Sequence, residues 1–282
     1  PGAESATYAS VPAGSTGAGL APANFSTTAA QAVVSDQRVR RGVLLPSSDT
    51  YSGFLVLERE LTDGGLEAYA ELGYRYSTYD AAYPGFLPAV TLSATHAFNP
   101  FRTGVTPGFA GKAVRVLFDP MDLPDASTDS RQRAYRVVGG LKGKLSGGDW
   151  QWSADLSWDL TDSRAHTVDY LRFLAPAVNA GIYNPLRDLS RQPMQSAGEQ
   201  EKYASRRESS ARPEVTTFNL RANGDLFALP GGPLAVSLGS EGRFETDFSA
   251  NDYTYGAYSS LPGAALTASS RSDTFRRVLS GY

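Results

Sequence analysis

From Trp150 to Thr161 the chain alternates without an error: Trp150, Trp152, Ala154, Leu156, Trp158 and Leu160 are apolar, and every residue between them is polar. A period of two is the signature of a strand with one face toward an apolar environment and one toward water. The same pattern runs from Leu66 to Tyr76, with Leu66, Ala68, Ala70, Leu72, Tyr74 and Tyr76 on one face and Glu67, Glu71 and Arg75 on the other. From Thr216 to Leu226 it sets Phe218, Leu220, Ala222 and Leu226 against Asn219, Arg221, Asn223 and Asp225. From Leu234 to Phe248 it sets Leu234, Val236, Leu238, Phe244 and Phe248 against Ser237, Glu241, Arg243, Glu245 and Asp247. The spacing predicts about seven long strands, near residues 49–61, 66–79, 131–145, 150–164, 214–228, 233–250 and 271–282.

Three tight turns join these strands in pairs: Thr62-Asp63-Gly64-Gly65, Ser146-Gly147-Gly148-Asp149 and Leu229-Pro230-Gly231-Gly232. Asp-Gly and Gly-Gly supply the positive φ that hairpin turns require. Gly64, Gly148 and Gly232 are spaced by 84 residues in both intervals (148 − 64 and 232 − 148), so a plan of long hairpin plus long loop repeats. The loops, roughly residues 80–130, 166–212 and 251–270, have no regular period and are long for a compact soluble domain. Short turns at one end and long loops at the other are the plan of an outer-membrane barrel. A tilted membrane strand needs about 9–11 residues, which the apolar faces cover. With the short turns on the periplasmic side, Trp150 and Trp152 fall at the lower interface, and Tyr74, Tyr76, Tyr135, Trp158 and Phe248 toward the upper one, as two aromatic belts. The expected fold is therefore all-β: an antiparallel transmembrane β-barrel segment in up-and-down hairpins, open as a fragment. A soluble β-sandwich also alternates, and is the competing architecture.

Composition narrows the function. With 26 Lys+Arg against 29 Asp+Glu the net charge is −3, which gives no basic footprint for nucleic acid. There is no Cys and there are only two His, His96 and His166, isolated from each other and read as surface residues in loops. That leaves no donor set for a metal, and no cofactor is expected. The longest aliphatic and aromatic run, Phe54-Leu55-Val56-Leu57, is far short of a spanning helix. Pro1 to Ser5 has neither the basic start nor the apolar core of a signal peptide, so any export signal is expected upstream.

No catalytic constellation is legible. There is no Gly-x-Ser-x-Gly elbow and no strict Gly-x-Gly-x-x-Gly loop. Asp155 and Asp159 share a strand face about 13 Å apart, too far for a glycosidase pair. An enzyme is not expected. In a barrel the polar face would be the lumen wall, with Glu67, Glu71, Arg75, Arg136, Lys142, Lys144, Asp155, Asp159, Arg221, Asp225, Glu241, Arg243, Glu245 and Asp247 pairing across strands or solvating a channel. Arg131 and Arg133 continue the outward face above Tyr135 and are expected to meet lipid phosphates of the outer leaflet or to be a solvated loop base. Glu199 to Glu208 reads as a mobile, solvated loop.

Several short motifs resemble a family. Tyr8-Ala9-Ser10-Val11-Pro12-Ala13-Gly14-Ser15-Thr16-Gly17 with Gly19-Leu20-Ala21-Pro22-Ala23-Asn24-Phe25 resembles a surface-loop segment of TonB-dependent outer-membrane receptors. The loop motifs Asn99-Pro100-Phe101 and Tyr183-Asn184-Pro185-Leu186-Arg187, the hairpin from Gly140 to Trp150, and Leu229 to Leu234 leading to Gly239-Ser240-Glu241-Gly242-Arg243 are similar to the barrels of the same receptors. The resemblance divides the chain into a surface-loop segment at 1–48 and a partial outer-membrane barrel at 49–282. It implies localisation in the bacterial cell outer membrane, and active import of a scarce nutrient such as a ferric siderophore, corrinoid or glycan. The implied partners are outer-membrane lipid and lipopolysaccharide, a small-molecule ligand, a plug domain of the same chain, and the TonB energy-coupling complex reached through an N-terminal region. No residues here match that plug or the coupling box, and an odd number of strands does not close a bacterial barrel, so an internal fragment is expected. The expected ligand contacts are outer-loop residues Asn99, Phe101, Tyr183, Asn184, Tyr253, Tyr255 and Tyr258. A passive porin and a secreted all-β carbohydrate-binding module are the alternatives.

Overall fold

The computed structural model describes residues 10–25, 45–63, 65–83, 88–105, 110–145, 150–189, 191–192 and 196–282. Gly64, the 146–149 turn and most of the 1–48 segment lie outside them. The protein is all-β. Strands β1 (Ser47–Thr62), β2 (Leu66–Tyr83), β5 (Ala126–Lys144), β6 (Gln151–Asp169), β7 (Ser205–Leu229), β8 (Gly232–Tyr255) and β9 (Ser270–Gly281) form one seven-stranded sheet in that order. Every neighbouring pair is antiparallel. A separate hairpin pairs β3 (Ala89–Leu92) with β4 (Val114–Leu117). Two short helices, α1 (Leu174–Asn179) and α2 (Ala197–Glu201), lie between β6 and β7.

The seven long strands stand where the alternation placed them, but several run further into the loops. Strand β5 starts at Ala126, β6 reaches Asp169, β7 starts at Ser205 and β8 reaches Tyr255. The β5 and β7 extensions are almost wholly polar on both faces, so they carry no period-two signal even though the backbone pairs continuously. His166 is therefore a strand residue rather than a loop residue. Glu199 to Glu208 is likewise no mobile loop: Ser196 caps α2 by accepting from the Glu199 N–H at 3.3 Å, and β7 begins at Ser205.

At the short end, β7 and β8 meet at Pro230-Gly231, with Leu229 paired to Gly232. The β1–β2 turn closes through a Gly65 N–H to Thr62 carbonyl bond of 3.0 Å, with Gly65 at φ +81°. The turns are staggered: Gln151 opens β6 opposite Asn223, yet β7 continues six residues further (229 − 223) before turning. Stagger of this kind accompanies strand tilt.

Register sorts the side chains into two faces. Leu55, Leu72, Val137, Trp158, Thr216, Phe244 and Arg277 form one continuous cross-strand row. One residue over, Phe54, Gly73, Arg136, Asp159, Val215, Glu245 and Arg276 form the next, on the opposite face. The first face is apolar yet uncovered: Leu57 is 54% exposed, Leu156 55% and Leu238 54%. The hydrophobic core lies instead in the loops beyond the sheet, where Leu92, Leu174, Ala177 and Val178 are fully buried.

Candidate functional site: the polar face and the loop cap

The polar face is a ladder of short charged contacts. Arg136 on β5 pairs with Asp159 on β6 at 3.1 Å. Lys142 reaches Glu67 at 2.8 Å and Glu58 at 3.7 Å across three strands. The Asn219 amide donates to Asp155 at 2.8 Å. Glu245 pairs with Arg243 at 2.6 Å and, more loosely, with Arg276 at 3.9 Å. Glu71, Arg75, Asp155, Asp159, Arg221, Asp225, Glu241, Arg243 and Glu245 all share this face by alternation and register. Glu71, Arg75, Arg221 and Glu241 make no hydrogen bond or ion pair among the described residues, so they face the adjoining space as open charges. The surface is exposed and of mixed sign, stable beside water and costly beside hydrocarbon.

Small residues let aromatic rings lie flat on this wall. Tyr69 pairs directly with Gly140 and covers it so closely that a Cβ at 140 would meet the ring at 2.5 Å.

Beyond the sheet, the loops pack into a cap. Both Asn-Pro motifs build it in the same way. The Asn99 carbonyl oxygen accepts from the Phe101 N–H at 2.8 Å, and that of Asn184 accepts from the Leu186 N–H at 3.0 Å. These are Asx turns, which Asn favours because its side chain mimics a backbone carbonyl two residues ahead. The amide nitrogens then tie in distant segments. Asn99 donates to the carbonyls of Ser93 at 2.8 Å and Lys112 at 2.7 Å, and Asn184 donates to Gly17 at 3.0 Å. The 10–25 segment is held further by a Gly14 N–H to Asp188 bond of 2.8 Å and an Asp188 N–H to Ser15 bond of 2.8 Å. Phe25 rests on Phe101 with ring centroids 5.7 Å apart.

At the centre of the cap the Tyr183 hydroxyl donates to Asp122 at 2.6 Å, and the Arg187 guanidinium donates to the other carboxylate oxygen at 2.8 Å. Arg187 also lies 4.9 Å over the Tyr183 ring. The Asp122 side chain is fully buried, so its charge is held by these two donors rather than by water. Burial, then the Asp122 charge, pushes the Tyr183 hydroxyl far above the ordinary tyrosine range. Burial, then Tyr258, raises Tyr203 in the same direction. An aromatic chain continues outward, from Tyr183 to Tyr203 at 6.0 Å and from Tyr203 to Tyr258 at 4.6 Å. A second cluster stacks Tyr253 on Tyr255 at 6.1 Å, with Arg172 5.4 Å above Tyr255.

The expected ligand contacts divide accordingly. Asn99 is 0% exposed and Tyr183 1%, so neither presents a surface to a ligand. Their polar atoms are engaged inside the cap. Asn184 is half-buried and likewise committed. Phe101, Tyr253, Tyr255 and Tyr258 keep partial exposure. His96 is half-buried, accepting at Nδ1 from the Phe98 N–H (3.1 Å) with Nε2 2.9 Å from the Val178 carbonyl, so it joins two loops. Sequence reasoning missed Asp122, Arg172 and Tyr203, which stand in segments without a period and find their partners far along the chain. Compared with protein-family models, curated proteins and solved structures, the chain matches none.

Proposed function

We propose that this chain is a sector of an outer-membrane β-barrel wall, belonging to a transporter of the TonB-dependent kind that imports a scarce small molecule. The observation that carries the reading is the pairing of an uncovered apolar face with a hydrated charged face on the same long strands. Exposing a Leu or Phe side chain to water instead of burying it costs about 1.5–3 kcal/mol. A face bearing Leu57, Leu156, Phe218, Leu238 and Phe275 in the open therefore calls for a nonaqueous neighbour. A bilayer supplies one, with the charged face toward a water-filled lumen. The loop cap stands at the far end of the strands from the short turns, where a receptor would meet its ligand, and Phe101, Tyr253, Tyr255 and Tyr258 are the cap residues offered to it. TonB coupling and the nutrient class rest on the resemblance of the loop and hairpin motifs.

The test is to express the full-length chain in a Gram-negative host, fractionate the envelope and compare electrophoretic mobility with and without boiling. Recovery with the outer membrane and a heat-dependent shift are expected; recovery as a soluble periplasmic monomer would contradict the reading. Planar-bilayer conductance separates the porin alternative, since an open channel without added energy belongs to a porin.

A further inference from the structure

Between the charged ladder and the loop cap, the polar face changes character. Two successive cross-strand rows, one from Thr50 on β1 through Gln132 on β5 to Ser272 on β9 and the next from Ser48 through Ser130 to Ser270, hold no charged and no large aliphatic side chain. Ser is their commonest residue, whereas the rows below hold Arg75, Arg136, Asp159, Glu245 and Asp247. The short side chains leave a recess of roughly 400 Å³ across β5, β6, β7 and β8, within the range of about 300–1,000 Å³ usual for small-molecule sites. Spanning four strands, it is about 14 Å wide. Arg131 and Arg164 border it through their backbone, since alternation turns their side chains to the opposite face. Its hydrogen-bonding groups are open: the side chains of Ser130, Gln132, Ser249 and Asn251 make no hydrogen bond among the described residues. Ser163 and Ser209 donate to carbonyls of the neighbouring strand, Ala211 at 3.2 Å and Ala165 at 3.5 Å, which leaves their oxygens able to accept. Tyrosines stand toward the cap. The Tyr79 and Tyr83 hydroxyls share a 2.7 Å bond, and Tyr253, two residues beyond Asn251 on the same face, stacks on Tyr255 at 6.1 Å. Arg207, opposite Tyr253, is a cation one row beyond the recess.

We infer that this recess binds an uncharged, polyhydroxylated ligand several rings long, an oligosaccharide. The inference deepens the transporter reading and rests on it: of the ligand chemistries that reading leaves open, the recess fits the uncharged, hydroxylated one. A sugar hydroxyl both donates and accepts, as do the Ser hydroxyls and the Gln132 and Asn251 amides. Such a ligand exchanges its bonds to water for bonds to the recess without leaving a charge unpaired. Tyrosine rings add rigid, amphipathic contact area, and short Ser and Asn side chains add adaptable hydrogen bonds. An anionic ferric chelate calls for the opposite, cations at the site itself, and neither row of the recess carries one.

The full-length protein in phosphatidylcholine nanodiscs is titrated calorimetrically, at low and high salt, with the neutral hexasaccharides maltohexaose, cellohexaose and xylohexaose, with the anionic hexamer of galacturonate, and with ferric enterobactin. Three forms are compared: unaltered, Gln132→Leu with Asn251→Leu, and Gln132→Ser with Asn251→Ser, each shown folded by its heat-dependent mobility. A neutral hexasaccharide should bind the unaltered protein with an affinity indifferent to salt. It should lose at least about tenfold in the Leu form, with a smaller loss in the Ser form. No binding of any neutral hexasaccharide at millimolar concentration, or a salt-sensitive preference for galacturonate or the ferric chelate, overturns the inference while leaving the membrane reading intact. Equal affinity in all three forms overturns the assignment to the recess. Failure of the protein to enter the nanodisc sinks the membrane reading and this inference with it.

Discussion

Asp122 and its two donors show how a single buried charge organises a loop region. Its fully buried side chain takes the Tyr183 hydroxyl at 2.6 Å and Arg187 at 2.8 Å, and its backbone carbonyl takes the Gln200 amide at 2.9 Å. Replacing Tyr183 with Phe leaves that carboxylate one donor short, and should cost about 1.5–3 kcal/mol in denaturant unfolding monitored by aromatic circular dichroism. The alkaline limb follows from the raised Tyr183 and Tyr203 hydroxyls. Both are held neutral in the folded cap, so their contribution is complete below the ordinary tyrosine value of 10.0 and declines as pH rises past it, where the unfolded chain ionises first. Absorbance at tyrosinate wavelengths should show a class of tyrosines silent until the near-ultraviolet dichroism of the cap collapses. Titration of every tyrosine in one step near the ordinary value, with dichroism retained, would remove the buried network. None of these partners was legible in the sequence, because Asp122 and Arg187 are 65 residues apart and Asn184 and Gly17 are 167 apart. The Asn-Pro motifs stood out in the sequence, and both form Asx turns.

The strands were legible because one face of the sheet is apolar and the other polar: where the faces differ the chain alternates, and register must follow. Legibility stopped where both faces are polar, at Ser127–Ser130 on β5 and at Arg206–Ala211 on β7, although these residues pair as regularly as the rest. A cation sits on the apolar face among rings: Arg277 lies 4.7 Å from the Phe275 ring and 6.0 Å from Phe244. The stagger of the turns sets Arg277 toward the loop side of the apolar band, where, on the membrane reading proposed above, a guanidinium would reach headgroups. The same reasoning fixes the cost of a charge lower down. Leu156→Lys should destabilise the bilayer-inserted protein by about 2–4 kcal/mol, read as a fall in the unfolding midpoint, whereas Asp155→Lys on the polar face should be far milder. Equal effects at the two positions would count against a lipid-facing side. On the polar face, Gly140→Val displaces the Tyr69 ring from the wall, and because the ring can turn into open space the cost should stay below the roughly 1–3 kcal/mol of overpacking in a closed core.

Taken as a whole, the sheet has an uncovered apolar face and its packed core lies at one end, an inversion of how a water-soluble domain of this size is organised. Among the described residues its outer strands β1 and β9 each pair on one side only, and alternation of direction along seven antiparallel strands makes them run the same way. The two edges cannot close on each other antiparallel, so an up-and-down barrel requires further strands between them. The absence of cysteine permits a clean test of which solvent each face meets, since every introduced thiol will be unique. The decisive measurement is nitroxide scanning of residues 152–160 on β6 in the bilayer-reconstituted protein, with collision rates for oxygen and for a water-soluble nickel chelate. Oxygen contact should peak at Ala154, Leu156 and Trp158 and chelate contact at Ser153, Asp155 and Asp159, in strict period-two opposition. Labels at the apolar positions that meet the chelate as freely as their neighbours, or that are shielded from both reagents, would contradict a membrane-facing wall.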